Sequence, residues 1–140
     1  MQLRSQSKVK NPIQTPHGER VYELLGQAVG PEGIDHSIAV VEMDPGKASL
    51  RHYHPKTRES YFVQQGSGWM ELGTESQEVS EGDLIYIPPG ESHKITNTGE
   101  GTLQLWVVCV PAWTPDCSVF TEIWDAEKSV CVPAKPYTLP

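Results

Sequence analysis

An all-β domain of the sandwich or barrel type is what this sequence predicts, and three observations predict it. Twelve Gly and twelve Pro punctuate 140 residues at short intervals. Few windows sustain apolar residues at the i, i+3, i+4, i+7 spacing that a helix needs. Short runs rich in β-branched and aromatic residues alternate instead with turn chemistry along the chain.

In chain order the predicted strands are 21–25, 34–43, 50–54, 60–65, 68–72, 77–79, 84–87, 93–97 and 103–110. The turns between them are Gly30-Pro31-Glu32-Gly33, Asp44-Pro45-Gly46, Gln65-Gly66, Glu81-Gly82-Asp83, Pro88-Pro89-Gly90 and Asn97-Thr98-Gly99. Such short, regularly spaced strands point to a closed or sandwiched sheet. In the strand 103–110, Leu103, Leu105, Val107 and Cys109 share one face, which reads as core. Gln104, Trp106 and Val108 share the other, which is mixed enough to line a pocket or meet a second subunit. Past Pro111, Ala112 to Asp116 reads as an ordered loop, restrained by two prolines and by Trp113. Residues 118–128 fit either a short helix or an extended tail. The ends, 1–12 and 133–140, read as arms on a single domain whose barrel covers about 21–110.

Composition excludes several function classes. Eleven Lys and Arg against eighteen Asp and Glu give a formal charge of -7, which repels phosphate backbones and anionic headgroups. Nucleic acid and membrane are therefore poor partners. The first eight residues are polar and lack a signal-peptide core, and the apolar run Leu105 to Val110 is too short to span a bilayer. A cytoplasmic location is expected. Cys109, Cys117 and Cys131 are odd in number and lack CxxC spacing, which disfavours a disulfide framework or a cysteine zinc site. Cys109 reads as a small core residue, and a reactive role for Cys117 or Cys131 is not favoured.

Chemistry concentrates in one constellation. His52 and His54 are two residues apart in a β-like run, so both imidazoles project to one face. Glu59 follows a turn-like Pro55-Lys56-Thr57-Arg58, and His93 follows Pro88-Pro89-Gly90 in a distant hairpin. Three imidazoles and one carboxylate suit a borderline divalent ion such as Mn, Fe, Ni, Co or Zn. Four protein ligands leave open positions on an octahedral ion for water or a substrate.

The order Gly46-x5-His52-x-His54-x4-Glu59-x6-Gly66 resembles the first motif of the cupin family, and Gly82-x5-Pro88-x-Gly90-x2-His93-x3-Asn97 resembles the second. The short stretch between them, 67–81, is similar to that of compact, bacterial-type single-domain cupins, including those called phosphomannose-isomerase-like. The resemblance implies a double-stranded β-helix, or jelly-roll, barrel and a single metal ion held by His52, His54, Glu59 and His93. The motif glycines and Pro88 read as turn and bulge positions, and Asn97 as structural.

Around the ligands, Tyr61 and Val63 share the parity of Glu59 and are candidates to line a metal chamber. Glu59 and Tyr61 are the catalytic candidates, Tyr61 as a phenol that orients a substrate or donates a proton; Tyr86 is a weaker one. Arg51 and Arg58 flank the ligands and could clamp a carboxylate if turned inward. His17 is expected to be exposed, His36 to sit in a strand, and Tyr53 to face outward. The functional expectation is a homodimeric, metal-dependent protein acting on a small oxygen-rich molecule, acidic or sugar-like, by Lewis-acid chemistry. The alternatives are a noncatalytic small-molecule-binding protein and an iron or manganese dioxygenase.

Overall fold

The computed structural model describes residues 1–134. A one-turn 3-10 helix, Gln6–Lys8, precedes the strands β1 (Ile13–Gln14), β2 (Glu19–Leu25), β3 (Ser37–Met43), β4 (His52–Tyr53), β5 (Arg58–Gln65), β6 (Ser67–Leu72) and β7 (Glu75–Ser80). They continue as β8 (Leu84–Ile87), β9 (His93–Asn97), β10 (Leu103–Val110), β11 (Val119–Phe120), β12 (Glu122–Asp125) and β13 (Val130–Pro133). One sheet has the order β1-β2-β3-β10-β5-β8, a second β11-β4-β9-β6-β7, and β12 pairs with β13 alone. All pairings are antiparallel, the arrangement of a jelly roll.

The core lies between the two larger sheets. From the first come Val41, Met43, Tyr61, Val63, Ile87, Leu105, Val107 and Cys109, and from the second Met70, Val79 and Ile95. Strict alternation puts them there: β10 is buried at Leu103, Leu105, Val107 and Cys109 and open at Trp106 and Val110. The outer face of the first sheet carries a continuous cross-strand row. Tyr22 pairs with Val40, Val40 with Trp106, Trp106 with Phe62, and Phe62 with Leu84. Within that row Phe62, Trp106 and Leu84 are exposed.

The second cupin-like motif ends on Asn97, which is 1% exposed. Its Nδ2 donates to the carbonyls of Met43 and Gly101, each at 2.9 Å, and its Oδ1 accepts from the Gly99 amide at 2.9 Å. One side chain thereby ties the end of β9 to β3 and closes the following turn. Gly46, Gly66, Gly82 and Gly90 have φ between 79° and 90°, the left-handed turn conformation. Gly66 is doubly constrained, because a Cβ there would lie 2.6 Å from the Thr102 carbonyl oxygen.

The strand predictions shift mainly at their ends. β3 starts at Ser37, not at residue 34, because Ile34 donates its amide to Pro31 and extends the turn. His36 therefore precedes the strand, where its Nδ1 lies 2.8 Å from Asp35. Residues 118–128 take the extended alternative, as β11 and β12. The predicted arm 133–140 lies, beyond Ala134, outside the described residues.

Replacing Asn97 strands the buried Met43 carbonyl and breaks two part-buried bonds, one to the Gly101 carbonyl and one from the Gly99 amide. Asn97→Ala should cost about 2–4 kcal/mol of unfolding free energy, read from a denaturant midpoint that falls at unchanged m-value.

Candidate metal centre

His52 and His93 are directly opposed across the β4–β9 pair, His54 follows one residue beyond β4, and Glu59 opens β5 in the facing sheet. Three parts of the chain thus meet in the barrel, with His52 and His54 arriving together. One ligand atom from each of the four lies within 4.8 Å of the other three. His54, Glu59 and His93 are buried, and His52 is half-buried.

The ring orientations are set from behind. His52 Nδ1 lies 2.7 Å from the Leu50 carbonyl, His93 Nδ1 3.0 Å from that of Glu91, and His54 Nδ1 3.1 Å from that of Cys117. An Nδ1–H donated to a carbonyl fixes the tautomer and turns Nε2 toward the centre, the usual support of metal-bound histidine. Glu59 Oε2 lies 3.0 Å from His54 Nε2 and 3.1 Å from His93 Nε2. His93 Nε2 is fully buried and yet has no aligned hydrogen-bond partner. A buried, unsatisfied imidazole nitrogen beside a buried carboxylate is a strained arrangement in a polar cluster and an ordinary one around a divalent ion. The donor set thus fits a transition metal.

Electrostatics agree. Burial pushes His52 down to about 4, aided by the nearby His93, so its ring is neutral at physiological pH. Burial also opposes charge on His54, but hydrogen bonds to Cys117 and Glu59 outweigh it and raise the group to about 10. For Glu59, burial favours the acid, and the facing imidazoles of His54 and His93 nevertheless hold it down to about 2. Without metal, a proton on His54 occupies the role that the ion would take. Burial, with the charges of Glu59 and Glu19, drives Tyr61 well above its ordinary value. Its phenol stays protonated and keeps its donor hydrogen.

The centre opens into a cavity of about 120 Å³ between the sheets, apolar over most of its wall. Tyr61 lines it, as its parity predicts; Val63 does not, being packed fully into the core. Tyr86 is 51% exposed on the outer face and is no site residue. Arg51 turns away from the ligands to Glu71 at 2.8 Å and Glu122 at 3.7 Å, and Arg58 is exposed. Neither guanidinium can clamp a substrate in this arrangement, because local acidic partners and solvent hold them outside. Tyr53 is partly covered, since β11 pairs Val119 with it. His17, expected at the surface, is buried; the turn from Thr15 to Gly18 brings it inward, with Nε2 3.4 Å from Glu19.

Sequence reasoning missed two groups. Cys117 and Ser118 back His54, with Ser118 Oγ 3.2 Å from Nδ1, and 63 residues between His54 and Cys117 left no local signal. Glu19 and Glu23 line the cavity from β2. Their signal was the alternation Glu19-x-Val21-x-Glu23, hidden when the strand is begun at Val21.

Comparison with known proteins agrees with this geometry. Residues 39–110 match the Cupin_2 family, described as a cupin domain. An uncharacterized protein of Methanocaldococcus jannaschii is 36% identical over 107 residues, covering 76% of this chain and 84% of the relative. The oxalate-binding protein of Thermotoga maritima is 29% identical over 73 residues, 52% of this chain and 60% of the relative. A crystal structure of a predicted oxalate decarboxylase from Thermotoga maritima superposes with a TM-score of 0.69 at 23% identity, covering 79% of this chain and 99% of the other. That likeness shows the shared fold.

The opposed shifts of His52 and His54 set the pH dependence of the metal-free protein. His52, lowered in the fold, contributes stability above its unfolded value near 6.5 that is lost as pH falls toward about 4. His54, raised in the fold, contributes stability below about 6.5 that is lost as pH rises toward about 10. Thermal melts of metal-free protein should therefore peak near pH 6.5, and the alkaline decline should flatten in His54→Asn. An alkaline limb identical in both proteins would contradict the ion pair.

Proposed function

Because the chain belongs to the cupin family, we propose that it is a metal-dependent cupin in which His52, His54, Glu59 and His93 hold one divalent transition metal and the adjoining cavity admits a small oxygen-rich molecule, acidic or sugar-like. The observation that carries this reading is the convergence of four buried or half-buried candidate ligands, the three histidines among them each with Nδ1 committed to a carbonyl. When bound, such an ion supplies Lewis acidity to a carbonyl or hydroxyl oxygen at an open position.

The chain's own groups then have definite parts. Glu59 would hold the ion through one oxygen, while the Cys109 thiol, 3.6 Å away, donates to the other and orients it. Tyr61, held protonated, offers its phenol to a bound oxygen. Burial likewise keeps Cys109 a thiol. Ligand capture without turnover is a second reading favoured by this same feature, because neither group next to Glu59 can act as a base. The likeness to the oxalate-binding protein of Thermotoga maritima is in keeping with capture.

We further assign the exposed part of that row, Trp106, Phe62 and Leu84, as the contact of a homodimer, because an apolar band running across three neighbouring strands needs covering. The free cysteines fit the reducing cytoplasm.

Natively purified protein should carry close to one transition metal per chain by elemental analysis, and His93→Ala should lose most of it. Unchanged metal in a His52→Ala/His93→Ala double variant would refute the centre. An oxygen electrode separates the chemistries: substrate-dependent uptake with iron-loaded protein, abolished in Glu59→Ala, would establish a dioxygenase instead.

For the dimer, light scattering should give twice 15.5 kDa at micromolar concentration, and Trp106→Glu should return it to the monomer. A wild-type monomer would remove the assignment.

A further inference from the structure

The cavity wall carries an electrostatic signature of its own, separate from the ligands. Glu19, Val21 and Glu23 point inward from β2, so a strand face that elsewhere holds only apolar residues presents two carboxylates to the chamber. No Lys or Arg lines the chamber among the described residues. The cations nearest in sequence to the ligands are engaged elsewhere or exposed, as described above for Arg51 and Arg58. Glu23 is held in a definite place: its Oε1 is fully buried, and a Cβ on Gly26 would lie 1.9 Å from that oxygen, so the glycine makes room for it. That oxygen has no hydrogen-bond partner. Burial raises the Glu23 pKa and no cation offsets the rise. Glu19 has only the imidazole of His17, at 3.4 Å.

A divalent ion with one ligating carboxylate retains a formal positive charge and by itself favours an anion. Two further carboxylates in the same small, apolar chamber reverse that preference, since like charges in a weakly polar space repel strongly. An ionised carboxylate accepts hydrogen bonds and cannot donate them, so the complement the pair selects is a donor. A second carboxylate or a phosphate on the ligand would meet acceptors without a cation.

We propose that Glu19 and Glu23 make this chamber selective for an uncharged polyhydroxy ligand, which places a carbonyl or hydroxyl oxygen toward the metal and donates hydroxyls to the two carboxylates, and that they exclude dicarboxylates and sugar phosphates. This rests on the metal-centre reading above and narrows it to the sugar-like branch. Neither residue is a ligand; both determine specificity.

The test uses whole protein loaded with manganese, its metal content measured first, and titrated calorimetrically at neutral pH with erythrulose as the neutral hydroxy-ketone and with oxalate as the dicarboxylate. Erythrulose should bind at least about tenfold tighter than oxalate. Glu23→Gln, which keeps the shape and removes the charge, should shift that ratio toward oxalate by about tenfold, and Glu19→Gln should do so in the same direction. Should Glu23→Gln fail to fold, the wild-type ratio and Glu19→Gln decide the matter. Oxalate binding as tightly as erythrulose, erythrulose failing to bind, or a ratio unmoved by the substitutions would overturn the inference while leaving the metal centre intact. Protein that takes up no manganese would overturn both.

Discussion

Glu59 is a carboxylate at the bottom of an apolar barrel, and the need to satisfy it governs the surrounding architecture. An ionised carboxylate taken from water costs several kcal/mol unless charge and hydrogen bonds replace its hydration. Here the replacement comes from His54 and His93 on one oxygen and Cys109 on the other. Those three partners arrive from three separate segments, so the barrel has to close for Glu59 to be buried at all. The centre and the fold are thus a single cooperative unit, and the left-handed turns at Gly46, Gly66, Gly82 and Gly90 belong to it because they aim the strands that carry the ligands.

The same constraint explains why the rings face as they do. A histidine with both nitrogens free could rotate and leave Glu59 unpaired. Committing each Nδ1 to a carbonyl removes that freedom before any ion arrives. The Asn97 side chain performs a comparable service for the backbone, since it locks the far end of the strand that starts with His93.

Much of this was legible in the sequence because it is local or periodic. The spacing of His52 and His54, the turn before Glu59 and the alternation of Leu103 to Val110 depend only on strand geometry. The cupin-like motifs supplied the long-range link to His93, which no local rule contains. What the sequence concealed is what depends on contacts between distant segments. The orientation of Arg51 is decided by Glu71 and Glu122, and the burial of His17 by a turn and by Trp124, whose ring lies 6.5 Å away. Residues 118–128 carry helical and extended patterns at once, and pairing of Val119 with Tyr53 and of Glu122 with Pro133 selects the extended form.

The stretch that matches the cupin family, 39–110, contains all four candidate ligands, while several of the groups that shape their surroundings lie outside it. Cys117 and Ser118 back His54 from the segment beyond the barrel, and Glu19 and Glu23 furnish the wall from the segment before it. Divergence can therefore proceed by exchanging flanks around an unaltered cluster of three histidines and a glutamate. A descendant could acquire a new diet through edits to its margins alone, with the central cluster inherited whole.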